Sequence, residues 1–135
     1  MRKRCAASSI FVAAAALLRA APGAADDTAE IEAIQQRIVA AIQHRDPGAI
    51  VANFAHSDSL VIFDVIPPRQ YTGWEAWKKD WTEALKGCAS APRMDLSDLK
   101  IETSGDLVFS HDIGHFACVD PKGKQQEMTW RATDC

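Results

Sequence analysis

Four carboxyl or imidazole side chains stand among apolar residues at strand spacing. Within Leu60-Val-Ile-Phe-Asp-Val-Ile66, Leu60, Ile62, Asp64 and Ile66 share one face by the two-residue period, so a carboxylate points wherever those apolar chains point. A carboxyl in such a setting is a candidate general base. A second reading stands beside it: Asp64 ends the strand and caps the turn at Pro67-Pro68. In Leu107–Val119, the residues Leu107, Phe109, His111, Ile113, His115, Ala117 and Val119 share a face. His111 and His115 then lie about 13 Å apart, at ~3.3 Å per residue, too far to ligate one metal. His111 is read either as an acid/base or orienting donor, or as a hydrogen-bonded core or rim histidine. Farther on, Met128, Trp130, Ala132 and Asp134 share a face, which brings a second carboxyl toward the interior of Asp64; such pairs separate into acid and base. The competing reading of Asp134 is a frayed strand end.

The elements that must position these groups follow from periodicity. Asp27 and Glu30 form a capping box, and Ile31, Ile34, Ile38 and Ile42 lay an apolar stripe on a helix over 28–45. Asp46-Pro47 opens a short helix with Ile50, Val51 and Phe54 inward. The run 60–66 is a β-branched strand closed by Pro67-Pro68. Thr72-Gly-Trp-Glu75 is a second capping box, opening a helix with Trp74, Trp77, Trp81 and Leu85 on one stripe and Lys86-Gly87 at its end. That stripe is core packing or the wall of a pocket. The segments 96–103, 107–119 and 125–134 alternate apolar and polar residues and are joined by Ser104-Gly105 and Asp120-Pro-Lys-Gly123, the turns of an antiparallel meander. Helices first and strands last is an α+β plan.

The 135 residues suffice for one domain. Residues 1–25 read as a secretory signal: Arg2, Lys3 and Arg4, an apolar run from Cys5 to Leu18, and small residues to a cleavage point after Ala25. The expected product is a secreted or periplasmic domain over 26–135 with no stable membrane anchor, because 14 apolar residues fall short of the ~20 that span a bilayer. It carries 11 basic and 18 acidic residues, a surface that argues against nucleic acid. Of Cys88, Cys118 and Cys135, an exported chain permits Cys88–Cys118 as a disulfide, and buried free thiols are the alternative. No spacing suggests a metal site, and no motif calls for a cofactor.

Asp46-Pro47 through Val61-Ile-Phe-Asp64, then Pro67-Pro68-Arg-Gln-Tyr71-Thr-Gly73-Trp-Glu-Ala-Trp-Lys-Lys-Asp80-Trp81, Gly105-Asp106-Leu-Val-Phe-Ser-His111 and Asp120-Pro-Lys-Gly123-Lys resemble the SnoaL-like, ketosteroid-isomerase-like branch of the nuclear transport factor 2-like superfamily. The resemblance spans nearly all of 28–135. It implies a cone of three N-terminal helices packed in a curved antiparallel sheet, a pocket at the wide end, and often a homodimer. Asp64 falls where ketosteroid isomerases keep their proton-shuttling carboxylate and Asp134 near their second acid, while Ile38 stands at their oxyanion-donor tyrosine. Tyr71, His111 and Trp130 remain as substitute donors. Relatives continue past the equivalents of Thr133-Asp134-Cys135, so the domain is expected to be truncated before its last strand. The resulting expectation is an apolar pocket for a small hydrophobic molecule, lined by Tyr71, Trp74, Trp77, Trp81, Phe109, Ile113 and Trp130. It supports isomerase- or cyclase-like proton transfer, with Asp64 as base and Asp134 or His111 assisting; the alternative is a non-catalytic binding or dimerisation module.

Overall fold

A computed structural model describes residues 24–105 and 107–135, with side-chain surroundings from Asp27 onward. The expected leader therefore lies almost wholly outside the described residues. The first helix, α1, spans Ala24–Gln43 and begins four residues before the expected start. Asp27 is thus inside the helix instead of capping it, since alanines and first-turn acids extend a helix readily. At its end Arg45 takes a left-handed backbone (φ 59°). Asp46 then caps α2 (Pro47–Val51), its Oδ1 accepting the Ala49 N–H at 2.9 Å. Ile50 and Val51 are wholly buried.

Two strands follow, β1 (Val61–Phe63) and β2 (Gln70–Thr72), paired antiparallel as a separate two-stranded sheet around a cis Pro67-Pro68 peptide. The second is too short to display alternation, and Thr72 belongs to it instead of capping the next helix. Helix α3 (Trp74–Lys86) is preceded by Gly73 at φ 86°, a conformation that favours glycine. Loop carbonyls replace the cap: Leu60 O accepts from Gly73 N at 2.8 Å and Ser57 O from Trp74 N at 3.1 Å. The Arg45 guanidinium donates to Leu85 O at 2.9 Å, closing the far end of α3.

The main sheet is the expected meander, in order β3-β4-β5: β3 (Arg93–Ser104), β4 (Leu107–Val119) and β5 (Gln125–Asp134). Strand β3 starts three residues early and slips register between Ser97 and Lys100, where Asp98 has φ 54°. In the last turn Asp120 Oδ1 accepts from Lys122 N and Lys124 N at 2.8 and 2.9 Å, and Gly123 takes φ 80°. Among the described residues, β5 has β4 on one edge and no strand on the other.

The core joins the helices to the concave side of this sheet. Ala41, Ile42, Ile50, Val51, Trp77, Leu85 and Met94 form it, ringed by Ile38, Phe54, Trp81, Leu96, Phe116 and Trp130. A disulfide joins Cys88, just past α3, to Cys118 near the end of β4, and Ala89 N donates to Val119 O beside it at 2.7 Å. The 30-residue separation lets this bond restrict the unfolded chain by about 3–4 kcal/mol. The Cys88→Ser/Cys118→Ser double variant should lose stability of that order in denaturant titrations; an unchanged midpoint would show that the bond adds nothing. Gly114 lies under the Trp130 indole, and a Cβ there would stand 2.5 Å from its Cε2 and Cζ2. Gly114→Ala should therefore destabilise by about 1–3 kcal/mol through overpacking, measured by the same titration, whereas a neutral effect would mean the ring does not rest on β4.

Candidate functional site

Which face of β4 turns inward decides the site. Cys118 reaches Cys88 and Gly114 meets Trp130, so the even positions Ser110, Asp112, Gly114, Phe116 and Cys118 face the helices. The expected interior row is thereby corrected: Phe109, His111 and Ile113 lie on the opposite, outer face. Leu107 is 71% and Phe109 47% exposed, whereas Ser110 and Asp112 are 3% and 4%. The physical reason is room, because the layer beneath Trp130 admits no side chain at position 114.

The inward parity brings a carboxyl pair together. Asp112 pairs in register with Ala132, and Ser110 with Asp134, so Asp112 and Asp134 are diagonal neighbours on one face, roughly 7 Å apart at the backbone. Gln35 reaches in from α1 and donates from Nε2 to Asp134 Oδ2 at 3.2 Å. Gln35 is itself buried, whereas Asp134 is exposed as a residue at the end of β5. The Oδ1 of Asp112 is buried without a hydrogen-bond partner. Burial first, and then the charge of Asp134, push the Asp112 carboxyl above the ordinary aspartate range, opposed by His111. Desolvation also raises Asp134, and the Gln35 hydrogen bond opposes it. The set is one buried acid with its carboxyl raised above the ordinary aspartate range and a second at the surface end, with an amide to orient it. Sequence reasoning had Asp134 and Trp130 on the inner face, where they are, but missed Asp112 and Gln35. The signals existed: an inward Cys118 makes Asp112 inward by the period of two, and Gln35 stands between Ile31, Ile38 and Ile42 on the helix stripe.

The other expected residues lie elsewhere. Asp64 follows β1, half-buried on the face of Ile62, and its Oδ1 accepts from Val65 N at 2.6 Å and Ile66 N at 3.3 Å, so the carboxyl caps the prolyl turn. Tyr71 donates to Asp80 Oδ1 at 2.5 Å. Its burial, that bond, and the charges of Asp80 and Asp64 hold the phenol protonated far above its ordinary value. Trp77 packs edge-on to Phe54 and Trp81 at 6.0 and 5.7 Å, and Tyr71 lies 5.3 Å from it, while Trp74 donates to Val51 O and stacks on His56. Trp77 is part of the core, and Tyr71, Trp74 and Trp81 pack partly buried against it. Two depressions among the described residues lie elsewhere. One of about 260 Å³ borders Ser90, Arg93 and Cys118, and one of about 600 Å³ lies along α1 and α2 between Arg37, His44 and Asn53. No group of three or more potential metal ligands occurs among the described residues.

A nuclear transport factor 2-like superfamily protein from Salmonella enterica serovar Typhimurium shares 20% identity at a TM-score of 0.71, covering 81% of this chain and 78% of its own. A nuclear transport factor 2-like protein of unknown function from Pseudomonas putida shares 24% at 0.67, covering 82% and 76%. A candidate scytalone dehydratase from Novosphingobium aromaticivorans shares 14% at 0.71, covering 82% and 72%. These likenesses establish the fold. No match was found among curated protein sequences. Residues 31–134 match the SnoaL-like domain, and the chain, with its helices packed against an antiparallel meander, belongs to the SnoaL-like domain family of nuclear transport factor 2-like fold.

Proposed function

We propose that this SnoaL-like chain moves a proton on a small hydrophobic molecule, with Asp112 as the buried acid/base and Asp134 as the group that exchanges its proton with solvent. The observation that carries this reading is the Asp112 Oδ1, buried and unpartnered beside a second carboxyl. A carboxyl raised by burial holds its proton more firmly than an exposed aspartate, and its conjugate base is the stronger proton acceptor. Asp64, engaged by the turn backbone, takes no part. The likeness in fold to a candidate scytalone dehydratase supports a reaction class that begins with proton removal. A second reading, a non-catalytic ligand-binding module, draws on Ile38 and Tyr71. The first offers no donor at the family's tyrosine position, and the second spends its hydroxyl on Asp80.

Exchange of the acidic C–H protons of a small cyclic ketone into deuterium oxide, followed by NMR, separates these readings. Acceleration by the wild-type chain that falls about 10²-fold or more in Asp112→Asn and Asp134→Asn, but not in Asp64→Asn, supports proton transfer by the pair. Saturation transfer to the bound ketone without exchange would leave the binding module.

The same pair makes a thermodynamic prediction. Both carboxyls are raised above the ordinary value of 3.8, so the folded chain holds more protons than the unfolded one in the window above it. Their contribution is complete below that ordinary range and is lost as pH rises through the raised values. Asp112→Asn should flatten this decline, by removing one of the two carboxyls whose raised titration produces it. Denaturation midpoints from pH 4 to pH 8 measure it, and an unaltered slope would mean that Asp112 titrates like an exposed aspartate.

A further inference from the structure

We infer that the recess between α1 and α2 binds a small monocarboxylate with an apolar body, its carboxylate on Arg37. The recess has a volume of about 600 Å³, within the range of small-molecule sites. Ala40 and Ala41 of α1 and Ala49 and Ala52 of α2 and its C-cap make the floor, so the surface offered to a ligand there is methyl groups. The turn through His44 and Asp46 bounds one end. At the other, Arg37 Nε donates to Asn53 Oδ1 at 3.2 Å and ties α1 to the end of α2.

That bond also sets the guanidinium. Asn53 is itself fixed, donating from Nδ2 to Ala49 O at 2.8 Å and to Ile50 O at 3.3 Å, so its Oδ1 is presented to Arg37. Only the Nε–H of Arg37 is taken, and the N–H groups on Nη1 and Nη2 have no protein partner among the described residues. A guanidinium held at Nε keeps its Nη1/Nη2 fork, which matches the two oxygens of a carboxylate. The far end narrows the class of acid. His44 is seven residues beyond Arg37, about 10 Å at the helical rise, and an acid of that length spans the alanine floor. Asp46 stands at the same end, so a second carboxylate there would meet a like charge. A wholly apolar ligand would leave the Arg37 fork without an acceptor. The recess is separate from the carboxyl pair, because Arg37 stands about 200° around α1 from Gln35, which reaches Asp134.

Titration of the isotope-labelled chain with octanoate, followed by amide NMR, tests this. Shifts should saturate and cluster between Arg37 and Asn53. Arg37→Gln should weaken binding about tenfold or more by removing the fork, and Ala49→Leu, which fills the floor, should abolish it. Octanedioate should bind more weakly than octanoate, and octanol, without a carboxylate, should not saturate. Arg37 and Ala49 are both exposed, so circular dichroism should report an unchanged fold in either variant. Shifts that never saturate overturn the proposal, as does an affinity indifferent to Arg37→Gln or octanedioate binding as tightly as octanoate. Saturating shifts centred on Asp112 and Trp130 would place the acid inside the sheet, and also overturn it.

Discussion

The inward parity of β4 is the constraint on which the rest of the sheet depends. A strand offers only two choices, and a slip by one residue exchanges its faces completely. Two independent anchors make the choice here: the covalent bond from Cys118 to Cys88, and the contact of Gly114 with the Trp130 ring. Because β4 is the middle strand, β3 and β5 inherit its parity through their registers. Met94 and Leu96 come opposite Phe116 and Gly114, and Met128 and Trp130 come opposite the same two residues from the other side. The alternative face would drive Leu107, Phe109, Ile113 and Ala117 inward, which looks favourable by hydrophobicity alone. It would also carry Cys118 away from its partner Cys88.

This explains how much was legible in the residues. The order of helices before strands, the Asp46 cap, the turn at Asp120 and the extents of β4 and β5 follow from local pattern, and the structure has them. Resemblance to the SnoaL-like family added the curved-sheet plan. The site was legible only in part, because hydrophobicity was used to choose a face that packing decides. His111, Phe109 and Ile113 form the more apolar row and still lie outside, while Asp112 is hidden in the row that reads as polar. The expected bond between Cys88 and Cys118 contained the correction, since a cysteine that reaches a helix end must face the helices.

Other features left no local trace because long-range partners create them. Arg45 leaves α1 with a left-handed backbone and spends its guanidinium on the carbonyl of Leu85, forty residues later. The N-terminus of α3 has carbonyls of Leu60 and Ser57 in place of a capping side chain, and Gly73 supplies the positive φ that presents them. Thr72 carries the sequence signature of a cap, yet pairing with Val61 in the two-stranded sheet claims it. Asp64 keeps the inward parity of its strand, half-buried between exposed Phe63 and Val65, and its Oδ1 also accepts two backbone amides past the strand's end.

Three buried polar atoms among the described residues have no hydrogen-bond partner: the indole nitrogens of Trp77 and Trp81, and Asp112 Oδ1. A buried polar group of this kind costs about 1–3 kcal/mol, but the three differ in how the cost can be relieved. The indoles cannot shed their N–H, and each has offsetting ring contacts at 5.7 Å with the other and more with the surrounding core. Their burial is explained by apolar area. Asp112 buries little apolar surface, so packing does not explain it, and it can relieve its cost only by taking a proton. Burial therefore pushes that carboxyl above the ordinary aspartate range, and Asp134 beside it raises the penalty for losing the proton. A structural aspartate would find partners, as Asp46, Asp64 and Asp120 do. Asp112 differs from them in having a buried carboxylate oxygen without a hydrogen-bond partner.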